Sequence, residues 1–229
     1  MIKDPPLLKV KRNFPRPSAA VIRALHHVPT GFLVDCMDGR GALDYQIKPL
    51  DIDVSKFAGP VVTCHTGPND NLAVFGALEI AQPGDVLIIA TDSFRATCVA
   101  GDMMLGMVRN GGLAAFVTDG LVRDVEGILP SKVPTFCAGV TPNSCVRNGP
   151  GTVGLPVVIG GVSVQAGDIA VGDRDGVVIV PQDRLAQVQE SLKEVLAAED
   201  ELARKVRLGL KNIEPVQELM NSDRTEYLD

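Results

Sequence analysis

The sequence predicts a three-layer α/β/β fold with a helical arm at its C-terminal end. Continuous apolar runs at 86–90 and 113–117 alternate with helical patterns, as in a parallel sheet covered on both faces. Four short apolar runs between residues 155 and 180, joined by Gly-containing turns, indicate an antiparallel β layer. From Asp183 to about Leu208 apolar residues recur every three or four positions, which indicates a long amphipathic helix.

The length favours one α/β unit rather than two. A chain of 229 residues corresponds to about one and a half average domains. We therefore expect one domain over residues 1–229, with a core at about 18–182 and the helical arm over 183–229. An apolar fraction of 45% and a charged fraction of 22% exclude wholesale disorder.

Cysteine usage and hydropathy indicate the compartment. The five cysteines are odd in number and include no Cys-x-x-Cys, which fits reduced, buried thiols. No run approaches the ~20 apolar residues of a membrane span, and the first thirty residues lack the apolar core of a signal peptide. We expect a cytoplasmic protein without a membrane partner.

Charge and aromatic content disfavour a nucleic-acid partner. The net charge of −6 has the wrong sign for binding a polyanion, and seven Phe and two Tyr supply few stacking platforms. Between residues 1 and 23 six basic side chains face a single acid, Asp4. Because prolines interrupt this run, we interpret it as an extended, solvated arm rather than a phosphate-binding tail.

Local patterns give the order of the elements. Ser18 is a good N-cap for a helix that runs to about Val28 and is ended by Pro29. Residues 35–53 form a polar, Gly-rich loop. The remaining predicted elements are strands 60–64, 86–90, 113–117, 135–137, 155–159, 162–164, 168–171 and 176–180, and helices 72–81, 101–109 and 183–208, with a short helix after Asp124.

Common enzyme signatures are absent from the sequence. It contains no G-x-x-x-x-G-K-[ST], no G-x-S-x-G and no H-E-x-x-H. The three histidines, His26, His27 and His65, are too few and too badly spaced for a zinc site. A histidine at the end of a strand, as His65 is, more often has a structural role.

Charged residues follow two neighbouring predicted strands, where sites form in α/β sheets. The segment Gly101–Met104 begins a helix whose free amides suit a carboxylate or a phosphate. Arg123 can bind an oxo-anion bidentately, and Asp124 is a hard oxygen ligand. Together they predict a Mg²⁺-assisted site for a small oxo-acid. The alternative is that Asp102 merely complements the helix dipole and that Arg123 and Asp124 form a surface ion pair.

The same residues resemble the hallmark of the RraA-like superfamily. The similarity extends over about residues 20–185, and its closest branch comprises the class II aldolases that act on 4-hydroxy-4-methyl-2-oxoglutarate and 4-carboxy-4-hydroxy-2-oxoadipate. The other well-known branch, the regulator of ribonuclease E activity, lacks a C-terminal helical arm. The motifs are Gly101-Asp102-Met103-Met104, Asp119-Gly120-x-x-Arg123-Asp124, Pro68-x-Asp70-Asn71, Pro83-Gly84-Asp85-Val86 and Gly167-Asp168-x-x-x-x-Asp173-x-Asp175-Gly176-Val177.

The resemblance implies a swivelling-type fold and specific roles for these residues. The backbone of Gly101, Asp102, Met103 and Met104 would bind the pyruvyl carboxylate, and Arg123 the keto and carboxylate oxygens. Asp124 would be the one direct protein ligand of a divalent metal, Mg²⁺ or Mn²⁺. Asp102 would hold a water on the metal and take part in proton transfer.

The resemblance also implies an assembly in which subunits share a site. Glu199 would contact the metal through water from a neighbouring subunit, and Glu201 is the alternative because the segment 198–201 aligns in two ways. We therefore expect a homotrimer or a homohexamer.

The implied function is cleavage of 4-hydroxy-2-oxo acids to pyruvate, with oxaloacetate decarboxylation as a second activity. The alternative is a non-catalytic regulator that binds a ribonuclease or another protein. The presence of Asp102, Arg123 and Asp124 together with the C-terminal arm favours the enzyme.

Overall fold

A computed structural model describes residues 6–228 of the chain. Its strands within that range are β1 (Leu8–Val10), β2 (Lys48–Pro49), β3 (Phe57–His65), β4 (Val86–Ala90), β5 (Cys98–Ala100), β6 (Ala115–Thr118), β7 (Leu121–Val122), β8 (Thr135–Cys137), β9 (Gly151–Val153), β10 (Val157–Ile159), β11 (Val162–Val164), β12 (Ile169–Gly172) and β13 (Val177–Val180). Its α-helices are α1 (Ala19–Leu25), α2 (Thr30–Asp35), α3 (Leu72–Ile80), α4 (Asp102–Asn110), α5 (Val125–Ile128), α6 (Leu185–Arg207) and α7 (Glu214–Met220).

The long strand β3 connects two sheets. Its second half pairs in parallel with β4, which continues in parallel to β6 and β8. Its first half, from Phe57 to Pro60, pairs antiparallel with β12, whose other neighbour is β13. All residues of β3 except His65 are buried, as expected for a strand covered on both faces.

Alternate residues of the parallel sheet serve two separate cores. In β4, Leu87 and Ile89 pack toward α3 and α4, whereas Val86 and Ile88 pack toward the layer of β10–β13. This division follows from the two-residue period of a strand. It produces the α/β/β layering that the sequence predicts.

A further set of helices covers the outer face of β12 and β13. The helices α1 and α2 and the first turns of α6 contribute to this third cluster, α6 through Val188 and Leu192. Beyond these turns the arm exposes apolar side chains, among them Leu196, Leu202 and Val206. Each helix within residues 6–228 is either too short or too polar to span a lipid bilayer.

The N-terminal segment is not the solvated arm that the sequence predicts, at least from residue 6 onward. Strand β1 pairs in parallel with β9 at the edge of the large sheet. Leu8 and Phe14 pack against the α3 side of the core. The burial of Leu8 and Phe14 therefore holds this segment on the sheet, although basic residues surround them.

Smaller differences concern the ends of elements and short elements. Ser18 does cap α1, since its Oγ accepts from Val21 N at 3.5 Å, but the helix ends at Leu25 rather than Val28. The sequence pattern missed the helices α2 and α7 and the strands β2, β5, β7 and β9, and β2 lies within the loop predicted over residues 35–53. All are seven residues or shorter, too short for a periodic signal.

An ion pair between the partly exposed Arg16 and the buried Asp85 attaches the N-terminal segment to the sheet. Arg16 donates to Asp85 through Nε at 3.0 Å and through Nη2 at 2.9 Å. Asp85 is 1% exposed and also accepts from the backbone N of Gln82 at 2.8 Å. The Asp85 carboxylate therefore depends on Arg16 for compensation of its charge.

Replacement of Arg16 by Met should destabilise the protein strongly, because it leaves a buried carboxylate without its counter-charge. We expect the free energy of unfolding to fall by about 2–4 kcal/mol in denaturant titrations. The matched control is Arg174→Met, which breaks the exposed pair with Asp53 and should cost no more than ~1 kcal/mol. Equal losses in the two variants would contradict this account.

Candidate functional site

Two short strands outside the main sheet bring the predicted site residues together. Strand β5 leads into α4, strand β7 leads to Arg123 and Asp124, and the two strands pair in parallel. The backbone N of Arg123 donates to Ala100 O at 3.0 Å. As a result, the start of α4 and the Arg123-Asp124 pair lie side by side.

These residues line one open cleft of about 370 Å³. One side is formed by the start of α4 and by the residues after β7, and the other by a polar segment over 144–147 together with side chains of α3 and its N-cap. None of the three histidines lines it. The lining residues are Asn71, Phe75, Cys98, Ala100, Gly101, Asp102, Met103, Met104, Met107, Arg123, Asp124, Ser144, Cys145, Val146 and Arg147.

Arg123 and Asp124 form a half-exposed ion pair at the base of this cleft. Arg123 Nε lies 3.0 Å from Asp124 Oδ2, and the two side chains are 39% and 43% exposed. Arg123 Nη1 donates to Ser144 Oγ. Asp124 has left-handed backbone angles, φ 59° and ψ 45°, a conformation that Asp tolerates better than most residues.

Gly101 keeps space for the Asp124 carboxylate. Its backbone is extended, so the requirement for glycine is steric rather than conformational. A Cβ on Gly101 would lie 2.6 Å from Asp124 Oδ2 and 3.2 Å from Arg123 Cγ. The first amides of α4 follow Gly101, and the amide of Met103 is already bonded to Asp102 Oδ1 at 2.7 Å.

The carboxylates of Asp102 and Asp124 fit a hard divalent cation. Residues 6–228 contain no cluster of three or more His, Cys, Asp or Glu side chains that could enclose a metal. Two carboxylates in an open cleft suit Mg²⁺ or Mn²⁺, which keep several waters, and do not suit a structural zinc.

Glu199 and Glu201 both lie on α6, and neither is among the residues that line the cleft of their own chain. The structure distinguishes the two, however. Glu201 accepts from Arg204 Nε and Nη2, both at 2.9 Å, and these bonds lower the pKa of Glu201 to about 2. Glu199 forms no ion pair within residues 6–228, so its carboxylate is free for another partner.

Sequence analysis missed the wall of the cleft opposite α4. There the Arg147 guanidinium lies 4.1 Å from the centre of the Phe75 ring, and its Nε is 3.4 Å from Asn71 Oδ1. The buried Asp70 carboxylate anchors this wall by accepting from the amides of Asn148 at 2.6 Å and Gly149 at 2.9 Å. The polar loop that precedes β9 gave no motif, so only its charge could have indicated a site.

Asp119, part of the family motif, is a structural residue. Its buried carboxylate accepts from the amide of Thr91 at 2.7 Å and from that of Ser93 at 2.9 Å. It therefore holds the loop after β4 in place and does not face the cleft.

The Cys145 thiol in the cleft is not an activated nucleophile. Burial, with the neighbouring Cys98 thiol, raises the pKa of Cys145 to about 11, so this thiol is protonated at neutral pH. All five cysteines are unpaired, and four are buried. This agrees with the reduced thiols expected from the sequence.

The fold and the cleft define a protein of the aldolase and RraA class. The chain belongs to the RraA-like family, whose model, described as Aldolase/RraA, matches residues 30–179. A relative from Halalkalibacterium halodurans, named "Putative 4-hydroxy-4-methyl-2-oxoglutarate aldolase", is 36% identical over 173 residues, which cover 76% of this chain and 82% of the relative.

Solved structures agree with this assignment. RraAS2 from Streptomyces coelicolor, described as an unusual member of the RNase ES inhibitor RraA protein family, matches with a TM-score of 0.73 and 28% identity. That match covers 85% of this chain and 100% of the other. The RNA-processing inhibitor RraA from Thermus thermophilis matches with a TM-score of 0.62 and 28% identity, over 68% and 93% of the two chains.

Replacement of Gly101 by Ala should displace the Asp124 carboxylate and weaken the predicted metal site. We expect the affinity for Mn²⁺, measured by isothermal titration, to fall ~10-fold or more. Gly106→Ala is the control on the same helix, because a Cβ there meets nothing within 4 Å. Unchanged Mn²⁺ affinity in Gly101→Ala would show that metal binding does not depend on the position of the Asp124 carboxylate.

Proposed function

We propose that this protein is a divalent-metal-dependent pyruvate aldolase that cleaves 4-hydroxy-2-oxo acids of the 4-hydroxy-4-methyl-2-oxoglutarate type. Decarboxylation of oxaloacetate is proposed as a second activity. The observation that carries the proposal is the convergence of Arg123, Asp124 and the start of α4 in one cleft. The name of the Halalkalibacterium halodurans relative supports the same chemistry.

The substrate's pyruvyl end would lie between α4 and Arg123. The backbone from Gly101 to Met104 would bind a carboxylate at the positive end of the helix dipole, through amides other than that of Met103, which is bonded to Asp102 Oδ1. The Arg123 guanidinium faces the same space and can donate to the keto oxygen and the carboxylate together. This arrangement orients the 2-oxo acid so that negative charge develops beside Arg123.

Asp124 and Asp102 would hold the metal, Asp124 directly and Asp102 through water. A bound Mg²⁺ or Mn²⁺ would supply Lewis-acid stabilisation of the negative charge that develops on the keto oxygen. Asp102 Oδ2 lies close against α5, 2.7 Å from where a Cβ on Gly127 would be, so the carboxylate has little freedom to move. We assign it a role in proton transfer at the cleft.

Proton movements complete the reaction. Cleavage of the bond between C3 and C4 requires loss of the C4 hydroxyl proton, and release of pyruvate requires protonation at C3. Arg123 stabilises the enolate between these two steps through its charge. In oxaloacetate, loss of carbon dioxide leaves the same enolate, and for this reason one site can serve both reactions.

A neighbouring subunit would complete the metal site with Glu199. The bonds of Glu201 to Arg204 and Lys205 within its own helix favour Glu199 for this role. The arm that carries Glu199 exposes apolar side chains, as would suit burial against another copy. We therefore propose a homotrimer or homohexamer, located in the reducing cytoplasm.

The second candidate function is that of a regulator that binds a ribonuclease or another protein. The names of the Thermus and Streptomyces structures favour it. A regulator, however, has no need for a carboxylate pair and a guanidinium in a common cleft. The arrangement of Asp102, Arg123 and Asp124 therefore favours the enzyme.

Release of pyruvate from oxaloacetate tests the proposal. With Mg²⁺ or Mn²⁺ we expect release well above that of the metal alone, because the metal itself decarboxylates oxaloacetate slowly. Addition of EDTA should abolish the excess. No release above the metal background, from oxaloacetate or from 4-hydroxy-4-methyl-2-oxoglutarate, would favour the regulator.

Substitutions at Arg123 and Asp124 should separate their roles. Asp124→Ala removes the direct ligand, so both Mn²⁺ affinity and activity should be lost. Arg123→Lys keeps the charge but not the planar fork, so Mn²⁺ should still bind while kcat falls on the order of 10²-fold. Normal Mn²⁺ binding in Asp124→Ala, or wild-type turnover in Arg123→Lys, would place the site elsewhere.

A further inference from the structure

The Ser144 hydroxyl makes a contact that the proposed function leaves unused. Ser144 Oγ accepts a hydrogen bond from Arg123 Nη1 across the cleft. Ser144 belongs to the loop before β9 and is 21 residues from Arg123 along the chain. The contact joins the two walls of the cleft at the guanidinium.

The residue before Ser144 is bonded to the strand that leads into α4. The carbonyl of Asn143 accepts from the amide of Cys98 at 2.9 Å. The side-chain amide of Asn143 donates to Ala96 O at 3.0 Å. Backbone and side chain together thus fix Asn143 to the start of β5.

The segment is fixed on the other side of Ser144 as well. The amide of Val146 donates to Asn69 O at 3.0 Å, and the carbonyl of Val146 accepts from the amide of Asn71 at 3.1 Å. Ser144 therefore lies between Asn143, which is bonded to the start of β5, and Val146, which is bonded to the residues before α3. Its hydroxyl is presented by a rigid frame rather than by a loose loop.

Two contacts define the plane of the Arg123 guanidinium. Nε is bonded to Asp124 Oδ2 at 3.0 Å, and Nη1 to Ser144 Oγ. An arginine side chain has five N–H groups, so three remain. Within residues 6–228 these three have no protein acceptor, and they are available to substrate oxygens.

We propose that Ser144 is a positioning residue that sets the orientation of the Arg123 guanidinium for catalysis. The inference rests on the proposed function in one respect, the role of Arg123 in stabilising charge on the keto oxygen. Asp124 alone holds one edge of the guanidinium and leaves it free to swing about that contact. The Ser144 hydroxyl removes this freedom, so its loss affects the transition state more than substrate binding.

The pair Ser144→Thr and Ser144→Val tests the hydroxyl at matched volume. We expect Ser144→Val to lower kcat of oxaloacetate decarboxylation ~10-fold or more, with KM changed less than ~3-fold. Ser144→Thr should keep kcat within ~3-fold of wild type, because it retains the acceptor. In an Arg123→Lys background, Ser144→Val should have little further effect. Equal losses in Thr and Val, or full additivity with Arg123→Lys, would overturn the inference.

A spectroscopic measurement makes the inference independent of catalysis. In NMR spectra, the Arg123 Nε–H signal is assigned by its absence in Arg123→Lys. This signal should shift and broaden in Ser144→Val and stay close to its wild-type position in Ser144→Thr. An unchanged signal in Ser144→Val would overturn the positioning role even in an active enzyme. A wild-type protein that releases no pyruvate would refute the proposed function, and the same spectra would still decide whether Ser144 orients Arg123.

Discussion

The parallel pairing of β5 with β7 is the contact on which the candidate site depends. These strands lie outside the large sheet, on the chain segments that leave β4 and β6. The bond from Arg123 N to Ala100 O fixes their relative register at the point where both strands end. Without it, Gly101 and Asp124 would belong to two independent loops, and the cleft would have no defined base.

Close packing at two glycines then decides where the carboxylates lie. Gly101 lets Asp124 Oδ2 approach the start of α4, and Gly127 lets α5 approach Asp102. At either position a Cβ would occupy the space of a carboxylate oxygen, at 2.6 Å in the first case and 2.7 Å in the second. Backbone approach at these glycines therefore adds to the bonds that hold the two acids, from Arg123 Nε to Asp124 and from the Met103 amide to Asp102.

The sequence predicts the layers of the fold well because their signals are local. Val86–Ala90 is apolar at every position, which indicates a buried strand. Leu185–Arg207 repeats apolar residues with the helical period over 23 residues, which indicates a helix. The short strands β5 and β7 have no such signal, since two or three residues cannot establish a period. Gly101, Asp102, Arg123 and Asp124 were found through a motif, whereas Ser144 and Arg147 were missed because tertiary structure alone brings them to the cleft.

Diffraction from crystals soaked with Mn²⁺ and oxalate, an analogue of the pyruvate enolate, would test the central claim most directly. The account predicts one anomalous peak per chain within ~2.2 Å of an Asp124 carboxylate oxygen, a normal distance for such a cation. It also predicts that oxalate lies between the start of α4 and the Arg123 guanidinium. A metal bound elsewhere, or oxalate outside this cleft, would contradict the account.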